Sequence, residues 1–319
     1  MKITFLGGSG FVASNVRPEF ILDHIVQSVD RIPHQANNFF ESVNGDITKE
    51  DTLQKVKAFG PDLIIVLAGQ QYTSPQVRQN SRPHYFRGNV EIAQTLSSAY
   101  RKNVGVPRIL YISTDMVYGI PDAGLIDEST STNPIGDYGK SKLEAERIYL
   151  GSFENVSIVR PRLIVGPGRV GTVKTLATLI SRGLPIPIIG DGENRYQMIG
   201  VNDLWAAIET IITAKEDGIF NIGSDDSPTL NQLFHDVKSD LKLSNPIIHI
   251  NPTIAHSLLF IADRLNFSPL AYEQYALASK NCLLSTSKIK SLGWRPKFDD
   301  TYLFTNALSL LLSGRTALN

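Results

Sequence analysis

The sequence predicts an α/β protein, a Rossmann-type doubly wound parallel sheet with a smaller α/β C-terminal lobe. Three observations predict it. Short β-branched or apolar runs alternate with longer amphipathic stretches. Runs such as "LIIVLAG" are apolar throughout. The first run opens directly into a glycine-rich turn, "KITFLGGSGFVAS". Continuous apolarity marks a parallel strand covered on both faces, whereas a half-exposed strand alternates.

Taken in order, the expected strands are Lys2–Leu6, His24–Val29, Leu63–Leu67, Ile109–Ser113 and Ser157–Val159. Between them, Asn89–Arg101 places Val90, Ala93, Leu96 and Tyr100 close to helical spacing, and Tyr138–Leu150 is a second helical stretch. From about Arg160 the texture changes, because "RPRLIVGPGRVG" and "GLPIPIIGDGEN" concentrate Pro and Gly and interrupt the βα rhythm. The expected division is therefore a dinucleotide-binding domain over residues 1–160 and a mainly substrate-binding lobe over 161–319. Segments around 200–224, including the helical "GVNDLWAAIETII", return to the first domain. The late apolar runs Ser257–Ala262 and Ala307–Leu312 are short enough to be core faces of helices.

Composition excludes several classes. Of 319 residues, 42% are hydrophobic and 19% charged, as in an ordinary globular protein. Lys+Arg and Asp+Glu both number 31, so no basic excess is present to hold a nucleic-acid backbone. The locally basic "RQNSRPHYFR" reads as a solvated turn and helix start. Cys282 stands alone and cannot form an internal disulfide, which fits a reducing compartment, and it is expected to be a buried thiol. Met1 leads within two residues into the first strand, leaving no export signal, and no run approaches the roughly 18 apolar residues of a spanning helix. The expectation is a cytoplasmic protein without membrane or nucleic-acid partners. His24, His34, His84, His235, His249 and His256 show no metal-binding spacing, so no metal is expected.

In the opening turn, Gly8, Gly10 and Ala13 satisfy G-x-G-x-x-G/A, and Gly7, Gly10 and Ala13 a variant spacing. Glycine permits the positive φ of a tight turn and close approach of a pyrophosphate, and N–H groups at the helix start, Phe11 and Val12, then face the phosphate charge. Asp30 follows Gly10 by twenty residues, where a carboxylate accepts hydrogen bonds from the adenosine ribose and favours NAD. Arg31 beside it could attract a 2′-phosphate, leaving NADP open.

"YISTDMVYG" and "DYGKSKLEAE" carry the catalytic candidates. Tyr138 and Lys142 are four residues apart on one helical face, and an ammonium beside a phenol, whose free pKa is about 10, favours the phenolate. Thr114, at a strand end, offers a hydroxyl to the same reacting oxygen. The trio suits removal of a proton from a secondary alcohol as hydride leaves for a nicotinamide.

At these residues the chain resembles the extended short-chain dehydrogenase/reductase family, in its nucleotide-sugar epimerase and dehydratase branch. The likeness runs through the opening turn, "NGDIT", "VLAG", "GNVEIAQTL", the Ser-Thr strand end, Tyr138 and Lys142, "RPRLIVGPG", "GDGENRYQMIGVNDL" and "LGWRP". It implies that Asp46 and Ile47 contact adenine. It places Leu67, Ala68, Gly69, Asn89, Ser113 and Pro161 along the cofactor. It also implies that Tyr138 is the acid/base, that Lys142 holds the nicotinamide ribose and lowers the tyrosine pKa, and that Thr114 is the hydroxyl partner. Dehydratases of the branch carry Asp-Glu after the threonine. Here Asp115 is followed by Met116, which disfavours dehydration. Tyr196 and Gly200 stand where the family has an arginine and a histidine, so the pyrophosphate grip is altered, and Arg162, Arg169 or Arg195 are candidates to replace it. Gln70, Gln71 and Tyr72, with Thr114, Asp115 and Met116, are candidate substrate contacts.

The expected activity is NAD-dependent epimerisation of a nucleotide sugar, at C4, through a transient keto-sugar. The alternatives are net reduction or dehydrogenation of a keto-sugar or other small carbonyl compound, and a non-catalytic dinucleotide sensor. By fold analogy the protein is expected to be a homodimer that pairs the helices of Asn89–Arg101 and Tyr138–Leu150.

Overall fold

The computed structural model describes the chain except residues 34–38, 72–80, 102–104, 121–123, 169–170, 266–267, 269 and 314–319. Seven strands form the main sheet in the order Gly218–Ile222, Val156–Pro161, Arg108–Ile112, Leu63–Val66, Lys2–Leu6, Ile25–Asp30, Glu41–Asn44. Every neighbouring pair is parallel. The chain enters at Lys2–Leu6, winds outward through the next two strands, then crosses back to Leu63–Val66 on the other side of its starting strand. A doubly wound sheet opens a crevice at such a reversal, outside the carboxyl ends of the two strands. Those ends are Leu6 and Val66, joined by the Leu67 N–H donating to Leu6 O at 2.9 Å.

Both faces of the sheet are covered, which explains the unbroken apolar runs. Ile3, Phe5 and Ile65 pack on one side with Trp205, Leu204 and Ile208 of the helix Val201–Ala214. Leu6, Ile64 and Val66 pack on the other with Ala93, Leu96 and Tyr149. A separate apolar cluster, including Val165, Ile186, Ile188, Phe234 and Leu308, builds the smaller lobe. Short parallel pairs complete that lobe, and Leu283–Leu284 beside Leu125–Ile126 stitches late chain to early chain.

The expected strands form with ends shifted by a residue or two. Glu41–Asn44 went unread because "ESVN" buries only Val43 and carries no apolar run. The helix expected from Asn89 begins as a π-helical turn, Phe86–Val90, before the α-helix Glu91–Tyr100, with Val90, Ala93, Leu96 and Tyr100 buried as their spacing required. One expectation is overturned. Ser257–Ala262 lies in the helix Pro252–Arg264, which buries only Ala255 and turns Leu258, Phe260 and Ile261 to solvent. Apolar periodicity reports a stripe, and nothing in this stretch could say whether other chain covers it. The other late run, within Asp300–Leu312, does bury Leu308 in the smaller lobe. Among the described residues, no helix is long and apolar enough to cross a membrane.

Candidate active site

At the mouth of the crevice the chain turns through Gly7 with φ 88°, a left-handed conformation natural to glycine. A Cβ at Gly7 would stand 2.5 Å from Ala68 N and 2.6 Å from Ala68 Cα, so the turn lies flush against the end of the neighbouring strand. Gly10 N-caps the short helix Phe11–Ser14, with no side chain over the helix start. Asp30 fastens the loop: its carboxylate accepts the N–H of Ser9 at 2.9 Å and that of Ile32 at 3.0 Å. The predicted ribose acceptor thus lies directly against the glycine turn. Arg31 is exposed beside it and close enough to Asp46 to act on its carboxyl. Burial works against the Asp46 charge, but hydrogen bonds from Thr48, together with Arg31 and Lys49, hold its pKa below the ordinary value. Ile47 is buried in the apolar cluster that also holds Val29 and Val43.

Past Val66, the chain runs through Leu67, Ala68 and Gly69. A Cβ on Gly69 would meet Asn89 Oδ1 at 3.0 Å and Lys142 Nζ at 3.3 Å, so polar atoms from two helical elements converge on bare backbone. The π-helical turn aims Asn89 inward, where it accepts the Gln70 N–H at 3.0 Å and donates to Ser141 Oγ at 2.8 Å. Extra residues in a helical turn recur at functional sites because they re-aim a side chain.

Tyr138 and Lys142 lie on the helix Asp137–Ser152. Tyr138 is half-buried and stacks edge-on with Tyr85, ring centroids 5.6 Å apart. Lys142 Nζ donates to Ile112 O at 2.7 Å and sits 4.4 Å from the centre of the Tyr111 ring. Burial draws the Lys142 pKa down to about 7, with Glu146 partly opposing. Beneath it, Glu146 takes the Arg160 guanidinium in a two-pronged ion pair, 3.0 and 2.6 Å, and also accepts from Ser113 Oγ.

Thr114 caps the 3₁₀ turn Asp115–Tyr118 by accepting the Met116 N–H at 3.3 Å and donates to Asp115 Oδ1 at 3.2 Å. Gly139, the residue after Tyr138, fits against Met116, where a Cβ would meet Met116 O at 2.7 Å. That contact brings the helix bearing Tyr138 up to the strand end bearing Thr114. Asp115 forms an ion pair with Arg162, whose guanidinium lies 4.3 Å from the centre of the Tyr196 ring. Pro161 ends the strand just before Arg162. Arg195 is exposed and donates to Ser227 O at 3.2 Å. Tyr72 and Arg169 lie outside the described residues.

Glu273, marked by no pattern in the sequence, joins the site through the fold. Its carboxylate accepts the Gly139 N–H at 3.1 Å across 134 residues of chain, capping the helix of Tyr138 from the short helix Tyr272–Leu277. Gly136 makes room, since a Cβ there would come within 2.2 Å of Glu273 Oε1. Burial lifts the Glu273 pKa to about 7. The Gly139 N–H and Lys140 oppose the rise, and Asp137 and Asp115 add to it. No local spacing signals such a contact. Cys282 is buried, with a raised thiol pKa.

Residues 3–223 match the NAD dependent epimerase/dehydratase family. The chain belongs to that family. Membership makes it an NAD-dependent enzyme of the extended short-chain dehydrogenase/reductase type, as its motifs implied. A Sinorhizobium fredii protein, y4nG, is 30% identical over 67% of this chain, which spans 55% of that relative's length. An Escherichia coli O157:H7 relative, N-acetyl-alpha-D-glucosaminyl-diphospho-ditrans,octacis-undecaprenol 4-epimerase, is 26% identical over 78% of this chain and 75% of its own. Among solved structures, UDP-glucuronic acid 4-epimerase from Bacillus cereus in complex with NAD aligns with a TM-score of 0.77 at 18% identity. The alignment covers 99% of this chain and 100% of that one. At that identity the likeness shows that this epimerase/dehydratase family member has the Rossmann fold its sequence predicted.

Proposed function

We propose that the protein is an NAD-dependent nucleotide-sugar epimerase that inverts C4 of its sugar through a transient keto-sugar. The observation that carries the reading is the convergence of Asn89 Oδ1 and Lys142 Nζ on Gly69, at the crevice where the strand order reverses. Bare backbone at Gly7 and Gly69 on adjacent strand ends fits an extended dinucleotide. Gly7, Gly10, Phe11 and Val12 would face its pyrophosphate, Asp30 and Arg31 its adenosine ribose, and Asp46 and Ile47 its adenine. Leu67, Ala68, Gly69, Asn89, Ser113, Lys142 and Pro161 would flank its nicotinamide half. The Asp30 carboxylate repels a 2′-phosphate, which favours NAD over NADP.

NAD held at these residues would supply reversible hydride acceptance, and inversion would need the hydride returned to the opposite face of the keto-sugar, so no net oxidant would be consumed. The chain's own residues handle the proton and the orientation. Tyr138 takes the hydroxyl proton and later returns it, and Thr114 hydrogen-bonds the same oxygen. Asp115 is committed to Arg162, and Met116 supplies no second carboxylate, so the two positions after Thr114 offer no acid–base pair for expelling water. That supports isomerisation over dehydration. Gln70, Met116 and Arg195 would add further substrate contacts.

The same reading divides the chain into a cofactor domain, 1–160 with the returning 200–224 segment, and a substrate lobe over the rest of 161–319. It places a homodimer in the cytoplasm, paired through Glu91–Tyr100 and Asp137–Ser152. Light scattering on the purified protein tests the dimer, and a monomeric mass rejects it. The decisive experiment incubates NAD-loaded protein with C4-epimeric pairs of nucleotide sugars. Interconversion without lasting nicotinamide reduction is expected. Stoichiometric accumulation of reduced nicotinamide would instead make the enzyme a dehydrogenase.

A further inference from the structure

Arg160 and Arg162 stand two residues apart at the end of one strand, and both are buried. Arg160 uses the side of its guanidinium formed by Nε and Nη2 to hold the two oxygens of Glu146, at 3.0 and 2.6 Å. Arg162 pairs with Asp115 through Nη1 alone. Its Nε and Nη2, the same two-donor edge, have no hydrogen-bond partner, although the side chain is only 1% exposed. A buried donor left without a partner is costly, and more so when charged, so an empty guanidinium edge calls for an acceptor. The fork is planar and rigid, and its natural complement is a two-oxygen anion.

Position selects which anion. Arg162 reaches Asp115 through Nη1, and Asp115 accepts from Thr114 Oγ1 at 3.2 Å, so the guanidinium lies one carboxylate away from the hydroxyl assigned to the reacting carbinol. In a nucleotide sugar the diphosphate hangs from C1, across the ring from C4, whereas the substituent on C5 is next to C4. The geometry points to Arg162 as the reader of a carboxylate on the sugar itself, making the substrate a nucleotide-linked uronate. This rests on the epimerase reading and narrows it. The ligand carboxylate then shares Arg162 with Asp115, while the Tyr196 ring covers the guanidinium face. Arg162 thereby leaves the role of pyrophosphate grip.

The test measures binding to NAD-loaded protein of four probes: UDP-glucose, UDP-glucuronate, dTDP-glucose and dTDP-glucuronate. With at least one nucleotide, the glucuronate form is expected to bind tenfold or more tightly than the glucose form. Arg162→Lys, which keeps the charge but loses the fork, should erase that preference by weakening the glucuronate form at least tenfold more than the glucose form. The paired variant Arg162→Gln with Asp115→Asn, which leaves neither charge stranded, should erase it too. Equal binding of both sugars to the wild-type protein overturns the inference and leaves the epimerase reading standing. So does a preference that survives in Arg162→Lys, or an equal loss of both sugars, which would return Arg162 to the diphosphate. Failure of all four probes to bind removes the nucleotide-sugar reading and the inference together.

Discussion

Lys142 and Glu273 both bear on one helix. The first is part of that helix, and the second reaches its N-terminus from Tyr272–Leu277. Burial moves both pKa values to about 7, one downward and one upward. The shared cause has opposite consequences. Folded Lys142 releases its proton more readily than the unfolded chain, so its burial penalty fades and stability rises from pH 7 towards the ordinary lysine range. Folded Glu273 keeps its proton longer than the unfolded chain, so stability is full below the ordinary carboxylate range and declines as pH climbs to about 7. Asp300, also lifted to about 7 chiefly by burial, adds to the second trend. The lesson is that the site is held at an energetic cost on both sides, and that these groups give the ligand-free protein a stability minimum near neutral pH.

The largest effect should come at Tyr138, on the same helix. Tyr138→Phe is expected to lower turnover by about 10²–10⁴-fold, the span of a lost acid/base, while NAD affinity holds. A steady-state assay alongside cofactor titration checks this, and unchanged turnover would leave the helix without its reacting group. Next, Lys142→Met should abolish the rise in stability above pH 7, a slope approaching about 1.4 kcal/mol per pH unit, in denaturant unfolding of the ligand-free protein between pH 7 and 9. A persistent slope would place the titrating group elsewhere. Glu273→Gln retains an acceptor oxygen for the Gly139 N–H but carries no charge, so the decline between pH 5 and 7 should flatten to what Asp300 contributes. Glu273→Ala, which drops the cap as well, should lie about 1 kcal/mol below Glu273→Gln at pH 5. Smallest of all, Leu258→Ser on the exposed helix should shift stability by no more than about 0.5 kcal/mol, as a surface change does. A larger loss would mean that the face is covered.

The same contrast explains what was legible in the sequence. Lys142 could be found because a helix places residues four apart on one face, and the glycine turn because it interrupts an apolar strand. Both are local patterns. Glu273 touches Gly139 only because segments 134 residues apart in the chain fold together, and Gly136 looks like any loop glycine until the carboxylate beside it is seen. Arg162 was visible as a candidate, but the feature that distinguishes it from Arg160, an empty donor edge, exists only in three dimensions. The helix Pro252–Arg264 marks the opposite limit, a correct apolar stripe with the wrong destination.

That stripe also governs how the protein behaves in a tube. Ile254, Leu258, Ile261 and Leu265 are 57%, 61%, 56% and 60% exposed along one ridge, on a chain whose formal charges cancel and whose isoelectric point is near 7.0. Near neutrality the molecules lack the mutual repulsion that would keep such ridges apart. Concentrated samples should therefore stay clearest a unit or two away from that point, and added salt should promote clouding by strengthening ridge-to-ridge adhesion.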